Sequence, residues 1–184
     1  MGIIRLAKKH RNAMKSTEDL EIQYRPIEPA KLLHQIECWF ARNDFKVTTK
    51  GPGDILPELA TFYRGGLKLM VKYAKLSARG KAALLGHERV HGRQRLRLGH
   101  AKFDVSYASA RIRVARETPA YRESIRLYRA MGVTKKELKS YAAWVPRALR
   151  ESYLIGALDY SNVRKHVLDV LEKEIEEPTD YAFK

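Results

Sequence analysis

The chain carries one cysteine, Cys38, among 184 residues, so no intramolecular disulfide can form and nothing calls for an oxidising compartment. A lone thiol in a patterned segment is expected in the core. No apolar run approaches the ~20 residues that a membrane-crossing helix needs. The segment Met1-Gly2-Ile3-Ile4-Arg5-Leu6 has too short an apolar stretch for a signal peptide, and Leu6 stands where a myristoylation site needs Ser or Thr. Internal repeats and low-complexity tracts are also lacking. These absences exclude disulfide scaffolds, membrane spans and solenoids, and the expectation is a cytoplasmic chain or part of an assembly made inside a cell. Acidic residues are scarce as well: 21 Asp and Glu face 36 Lys and Arg, for a formal charge of +15. Such a field favours phosphate backbones, acidic protein surfaces or anionic lipid. The basic residues run from Arg5 to Lys184, which reads as a generally basic surface instead of one DNA-binding tail.

Hydrophobic residues at 45% and charged residues at 31% form an ordinary globular mixture, sufficient for one folding unit. Residues 1–28, which include Lys8-Lys9-His10-Arg11, read as a basic N-terminal arm or edge strand that ends at Pro26 and Pro29. From Pro29 to about Phe45, Leu32, Leu33, Ile36, Trp39 and Phe40 recur at helical spacing, with Pro29 suited to a first turn. Gly51-Pro52-Gly53 marks a turn, and Ala60 to Tyr73 around Gly65-Gly66 reads as a β-hairpin or a bulged strand pair. Ser77 can cap a helix over Ala78–Leu98. The stretch Ala101 to Val114 fits strand or helix. A helix from near Glu117 to Met131 is expected, with Pro119 in its first turn and Gly132 closing it. Thr134 and Glu137 have capping-box spacing for the next helix, which Pro146 should kink or end near Trp144. Ser161 caps a last helix to about Ile175. The fold class is therefore α+β, mainly helical, with a small β-hairpin or sheet beside the 78–98 helix. The domain spans 29–176 and is followed by a tail at 177–184.

The chemistry sits in that helix, in His87-Glu88-Arg89-Val90-His91. Residues four apart on an α-helix are offset by only about 40° around the axis and about 6 Å along it, so two imidazoles at that spacing converge on one point. His87 and His91 have this spacing. Glu88 lies one residue round, within reach of a metal-bound water without displacing it. Zinc held by such a pair lowers the pKa of its water to roughly 7, and the adjacent carboxylate can take the proton as the water attacks a carbonyl. Two histidines leave a third protein ligand to be found. Glu117, 26 residues after His91, is the leading candidate, with Glu123 in the same helix as competitor and Asp104 or His100 available if the connection folds back early. Tyr121, Tyr107 and His100 are candidates for stabilising the oxyanion at the scissile carbonyl. Gln94, one turn after His91, suits a role behind the ligand.

At these residues the chain resembles the gluzincin zinc metallopeptidases, and more closely a group of small bacterial and phage metallopeptidases. The pattern is HExxH, a Gln three positions on, an aromatic-rich connection, an Arg, and Glu-x-x-Ala-Tyr. Its counterparts here are His87 to His91, Gln94, Lys102-Phe103 and Tyr107, Arg113, and Glu117-Thr118-Pro119-Ala120-Tyr121-Arg122, within residues 60–132. Gly86 and Gly92, flanking the motif, depart from what a helix there would prefer. The resemblance implies a zincin-like fold, Zn2+ on His87, His91 and Glu117, Glu88 as general base, and a peptide or protein substrate. Tyr121 is the favoured oxyanion partner. The rival reading is a zinc-stabilised structural or nucleic-acid-associated component of a phage particle or other assembly, with Arg89, Arg93 and Arg97 in a row that could meet phosphates. The corresponding locations are the cytoplasm or a virion.

Overall fold

The computed structural model describes residues 26–49, 60–63, 66–69, 71–106, 109–153 and 160–177. Most of the basic arm, the Gly51-Pro52-Gly53 turn, Tyr107 and the tail beyond 177 lie outside the described residues. The elements run α1 (Pro29–Arg42), β1 (Lys46–Thr49), β2 (Ala60–Tyr63), β3 (Gly66–Leu69), α2 (Val71–Ala74), α3 (Ala78–Leu98), α4 (His100–Ser106), α5 (Ala110–Ala130), α6 (Lys135–Tyr153) and α7 (Tyr160–Glu176). The architecture is α+β and mainly helical, as expected.

Helix starts follow local chemistry. Pro29 opens α1, and the Ser77 hydroxyl accepts from the Gly80 N–H at 3.2 Å to cap α3. Thr134 and Glu137 form the capping box of α6: the Glu137 carboxylate accepts from the Thr134 N–H at 3.0 Å, and the Glu137 N–H donates to the Thr134 hydroxyl at 3.3 Å. The first helix stops earlier than the apolar spacing suggests. Asp44 adopts φ 58°, a left-handed conformation that Asp tolerates, and turns the chain from α1 into β1.

The sheet has the order β1-β3-β2. β2 and β3 form the expected antiparallel pair, with Ala60 opposite Leu69 and Tyr63 opposite Gly66. β1, which the sequence did not reveal, runs parallel to β3 and sets Val47 opposite Leu67. Two apolar clusters fill the interior. The first joins Leu32, Ile36 and Phe40 of α1 to Leu67 and Leu69 of β3, Leu85 of α3 and Leu127 of α5. The second joins Val114 and Ile125 of α5 to Leu138, Val145 and Leu149 of α6 and to Val167 and Leu171 of α7. α5 contributes to both.

Several boundaries differ from the sequence reading. His100–Ser106 is helical, and α5 begins at Ala110, so Glu117 and Pro119 stand inside the helix instead of in its first turn. Pro119 is tolerated because it and Ala115, whose carbonyl loses its helical donor, both face solvent. α6 runs through Pro146 without ending near Trp144, held on both sides of the proline by buried Ala142, Val145 and Leu149. α7 begins at Tyr160, so Ser161 lies within it and does not cap it.

Candidate metal centre

α3 and α5 lie side by side and run antiparallel. Near one end the Ser124 hydroxyl donates to the Ala83 carbonyl at 3.3 Å, and near the other the Gln94 amide donates to the Arg116 carbonyl at 3.2 Å. On α5 the stripe facing α3 is Glu117, Ala120, Ser124 and Leu127, all at most 2% exposed, with the spacing of one helix face. Glu117 therefore points at α3 because it continues an apolar stripe. The two glycines that flank the motif allow the helices to meet. A Cβ on Gly86 would stand 1.9 Å from Leu127 Cδ1, and one on Gly92 would stand 3.0 Å from the Trp39 ring of α1. They replace helix propensity with close approach.

This packing brings His87, His91 and Glu117 together, each buried, with one donor atom from each within 4.8 Å of the others. His87 Nε2 lies 3.2 Å from Glu117 Oε2, His91 Nε2 lies 3.4 Å from Glu117 Oε1, and the two Nε2 atoms are 3.1 Å apart. A tetrahedral zinc site with bonds of about 2.0–2.1 Å has edges of about 3.3–3.4 Å between its ligand atoms. The two imidazole nitrogens stand close to one such edge apart, and each lies near that length from one oxygen of the Glu117 carboxylate, His87 from Oε2 and His91 from Oε1. The donor set, two neutral-capable imidazoles and a carboxylate, suits zinc, and the cluster is able to coordinate a metal ion.

The electrostatics call for a cation at this point. Glu117 is 1% exposed, and burial alone would drive its carboxyl up. The charge and hydrogen bonds of His91 and His87 reverse that and hold it well below the usual carboxylate range. Burial disfavours a charged His91, yet Glu117 beside it outweighs burial and raises His91 to about 9. Glu117 thus favours a protonated His91, and a metal taken up at Nε2 would compete with that proton.

Gln94 fixes how His91 is presented. Its amide nitrogen donates to the Arg116 carbonyl, so its oxygen faces His91 Nδ1 at 3.1 Å. An oxygen can only accept, so Nδ1 carries the proton and Nε2 is aimed at the cluster. Behind His91 sits Phe103 of α4, ring centroids 6.2 Å apart. The guanidiniums of Arg95 and Arg116 lie 4.6 and 4.4 Å from that ring, and Arg116 donates to the Phe103 carbonyl at 2.8 Å.

The other candidate ligands are engaged elsewhere. Glu123 pairs with Arg89, Asp104 with Arg95, and His100 Nδ1 faces Arg95 at 3.4 Å. The rival reading sets Arg89 with Arg93 and Arg97 in an exposed row that could meet phosphates. Arg89 is instead 2% exposed, turned inward to Glu123, while Arg93 lies over the Trp39 ring at 5.8 Å. Charge alone hid this; its position four residues after buried Leu85 was the available signal. Glu88 is 8% exposed, next to His87, and close enough for its charge to act on His91 and Tyr121. The Tyr121 ring packs edge-on against His87 at 4.7 Å, and burial together with the charge of Glu117 pushes its phenol far above the ordinary value. Tyr121 is thus held as a neutral hydroxyl.

Among the described residues no helix is long and apolar enough to cross a membrane. The cluster matches an HExxH-type zinc-binding motif completed by a glutamate from a second helix, whereas the chain as a whole matches no family model, and no curated protein or solved structure is significantly similar to it.

Proposed function

We propose that this chain is a zinc-dependent metallopeptidase of the gluzincin kind, akin to the small bacterial and phage enzymes that its motif resembles, with the machinery in residues 29–176. The observation that supports this best is the convergence of His87 Nε2, His91 Nε2 and the Glu117 carboxylate at 3.1–3.4 Å, with a buried glutamate, Glu88, next to the first ligand. Zinc, when bound, supplies Lewis acidity, acidifying a water and polarising a peptide carbonyl. His87 and His91 would hold it as neutral imidazoles, and Glu117 would balance its charge. Glu88 takes the proton from the attacking water and passes it to the departing amine. Tyr121, neutral at working pH and packed edge-on against His87, donates its O–H to the oxygen that gains charge at the scissile carbonyl.

Metal analysis and cleavage of unfolded casein test this together. Wild type should hold one zinc and cleave. Glu88→Gln should keep the zinc and lose at least about 100-fold in rate, within the span expected of general-base removal, and Glu117→Ala should lose the zinc. Full proteolysis by zinc-loaded Glu88→Gln overturns the mechanism; stoichiometric zinc in Glu117→Ala overturns the ligand set.

The +15 charge favours one second reading, a zinc-stabilised scaffold that associates with nucleic acid, in a virion or another assembly. The inward turn of Arg89 shortens the row that would meet phosphates. Tight, steeply salt-dependent binding to duplex DNA by a zinc-loaded but proteolytically inert chain would select this reading.

A further inference from the structure

We propose that Tyr121, Tyr141 and Trp144 form an aromatic shelf that receives a bulky apolar side chain of the substrate beside the scissile bond, an inference that rests on the peptidase reading above. Trp144 is 43% exposed on α6, a helix whose Leu138, Ala142, Val145, Ala148 and Leu149 are all buried. An indole left in water forgoes one of the largest apolar burials that any side chain offers. Leu96, Val105 and Ile112 are also exposed, but Trp144 is connected by rings to the candidate metal centre. Tyr141, three residues before it and on the same helix face, lies 5.8 Å away, and the Tyr121 ring lies 6.3 Å away. Tyr121 in turn packs against His87 at 4.7 Å. The rings form one continuous surface from the candidate ligand to solvent.

Two successive ring contacts lie within the reach of one or two extended residues, at roughly 3.5 Å each, plus a side chain. A peptide whose carbonyl sits at the cluster can therefore lay the side chain of a flanking residue on Trp144. The shelf carries no charged group of its own. A cationic side chain could also stack on an indole, but the +15 field of the chain disfavours it. An apolar aromatic or leucine-like side chain is the occupant that both the rings and the field accept. Net charge alone points to acidic substrates; the shelf adds an apolar anchor next to the bond.

Zinc-loaded wild type, Trp144→Ala and Trp144→Phe are compared in two assays. The first is cleavage-site profiling on a peptide library by mass spectrometry. The second is calorimetric affinity for phenylalanine hydroxamate against alanine hydroxamate, small zinc chelators that differ only by the phenyl ring. Wild type should enrich bulky apolar residues at one position flanking the cleaved bond and bind the phenylalanine probe about ten-fold more tightly. Trp144→Ala should keep its zinc and its affinity for the alanine probe while that preference falls to within about two-fold, and Trp144→Phe should restore most of it. A wild type without the preference, or a Trp144→Ala variant that retains it, overturns the shelf. A zinc-loaded wild type that cleaves nothing overturns the peptidase reading while the hydroxamate comparison still decides the shelf, and a chain that binds no zinc overturns both.

Discussion

Replacing Gln94 with Ala isolates the group that aims His91 without touching a candidate ligand. In the wild type, Gln94 accepts from His91 Nδ1–H at 3.1 Å and donates to the Arg116 carbonyl at 3.2 Å, so it orients the imidazole and ties it to the backbone next to Glu117. When His91 offers Nε2 to a metal, the proton must sit on Nδ1, and in the variant this buried donor loses its acceptor. The metal-free ring has an escape, since it can tilt or change its proton arrangement; the metal-bound ring has none. An unsatisfied buried donor costs about 1–3 kcal/mol, which weakens the metal-bound state by about 5- to 150-fold. Loss of a hydrogen-bond partner behind a ligating histidine typically costs 10–100-fold, in the same range. Competition of the purified variant against a chromogenic zinc chelator measures this directly. A zinc dissociation constant within two-fold of wild type would refute the assignment of Gln94 as the orienting group and the fixed proton on Nδ1 with it.

Gly86→Ala should destabilise the fold by up to about 2 kcal/mol in urea denaturation, because overpacking at Leu127 of about 1–3 kcal/mol outweighs the helix-propensity gain of ~1 kcal/mol. The double variant with Leu127→Ala should lose less than the sum of the two single changes, and simple additivity would sink the close-approach argument. Glu174 is buried on α7, and burial alone would raise its carboxyl, but hydrogen bonds and charge from Arg126 and Arg122 hold it below the ordinary glutamate value. A carboxyl lowered by folding stabilises the protein above its unfolded pKa and stops doing so as pH falls through the folded value. Wild type should therefore lose stability on acidification below about pH 4.5, and Glu174→Gln, whose arginine partners are partly exposed, should start roughly 1–3 kcal/mol lower at neutral pH and show a shallower acid slope. Parallel slopes for the two proteins would refute the pairing. Chelation of zinc initially present at about 100 times its dissociation constant should lower Tm by roughly 5–10 °C while the far-ultraviolet helical signal at 25 °C persists. An unchanged Tm would show that the native state holds no zinc.

What was legible in the sequence was whatever local chemistry determines. α3 occupies Ala78–Leu98 as its Ser77 cap indicated, and the capping box at Thr134 and Glu137 forms. The i, i+4 convergence of His87 and His91 follows from helix geometry, so it needed no tertiary information. Partners set by packing were not legible. Lys46–Thr49 is only four residues long, and it becomes a strand through parallel pairing with β3, a contact between segments some twenty residues apart. Arg89 carries the same charge as its exposed neighbours, and only the approach of Glu123 on α5 decides that it faces inward. Glu117 and Glu123 lie on one helix six residues apart and were both plausible as ligands. Their different fates follow from where α5 begins and how it is rotated against α3, which apolar burial along Ala120 and Leu127 sets.

That rotation is held from both sides of α5, which bears on what a bound metal has to do. Facing α3, the stripe from Glu117 to Leu127 is buried against a helix narrowed by Gly86. Facing α7, Arg122, Arg126 and Arg129 gather around Glu174, with Arg129 also donating to the Glu174 carbonyl at 2.7 Å. The helix also joins both apolar clusters, through Leu127 in one and Val114 and Ile125 in the other. A carboxylate carried by so constrained a helix cannot withdraw when the cation leaves, so the three donors stay close together and repel unless a proton or metal lies between them. This differs from a small zinc module, in which the metal organises the chain and the apo form is unfolded. Here the two clusters organise the chain, and a metal would enter a donor set that folding has already brought together. Affinity should accordingly depend on the groups that keep the donors facing each other, Gln94 behind His91 and the α3 to α5 contact at Gly86, as strongly as on the donors themselves.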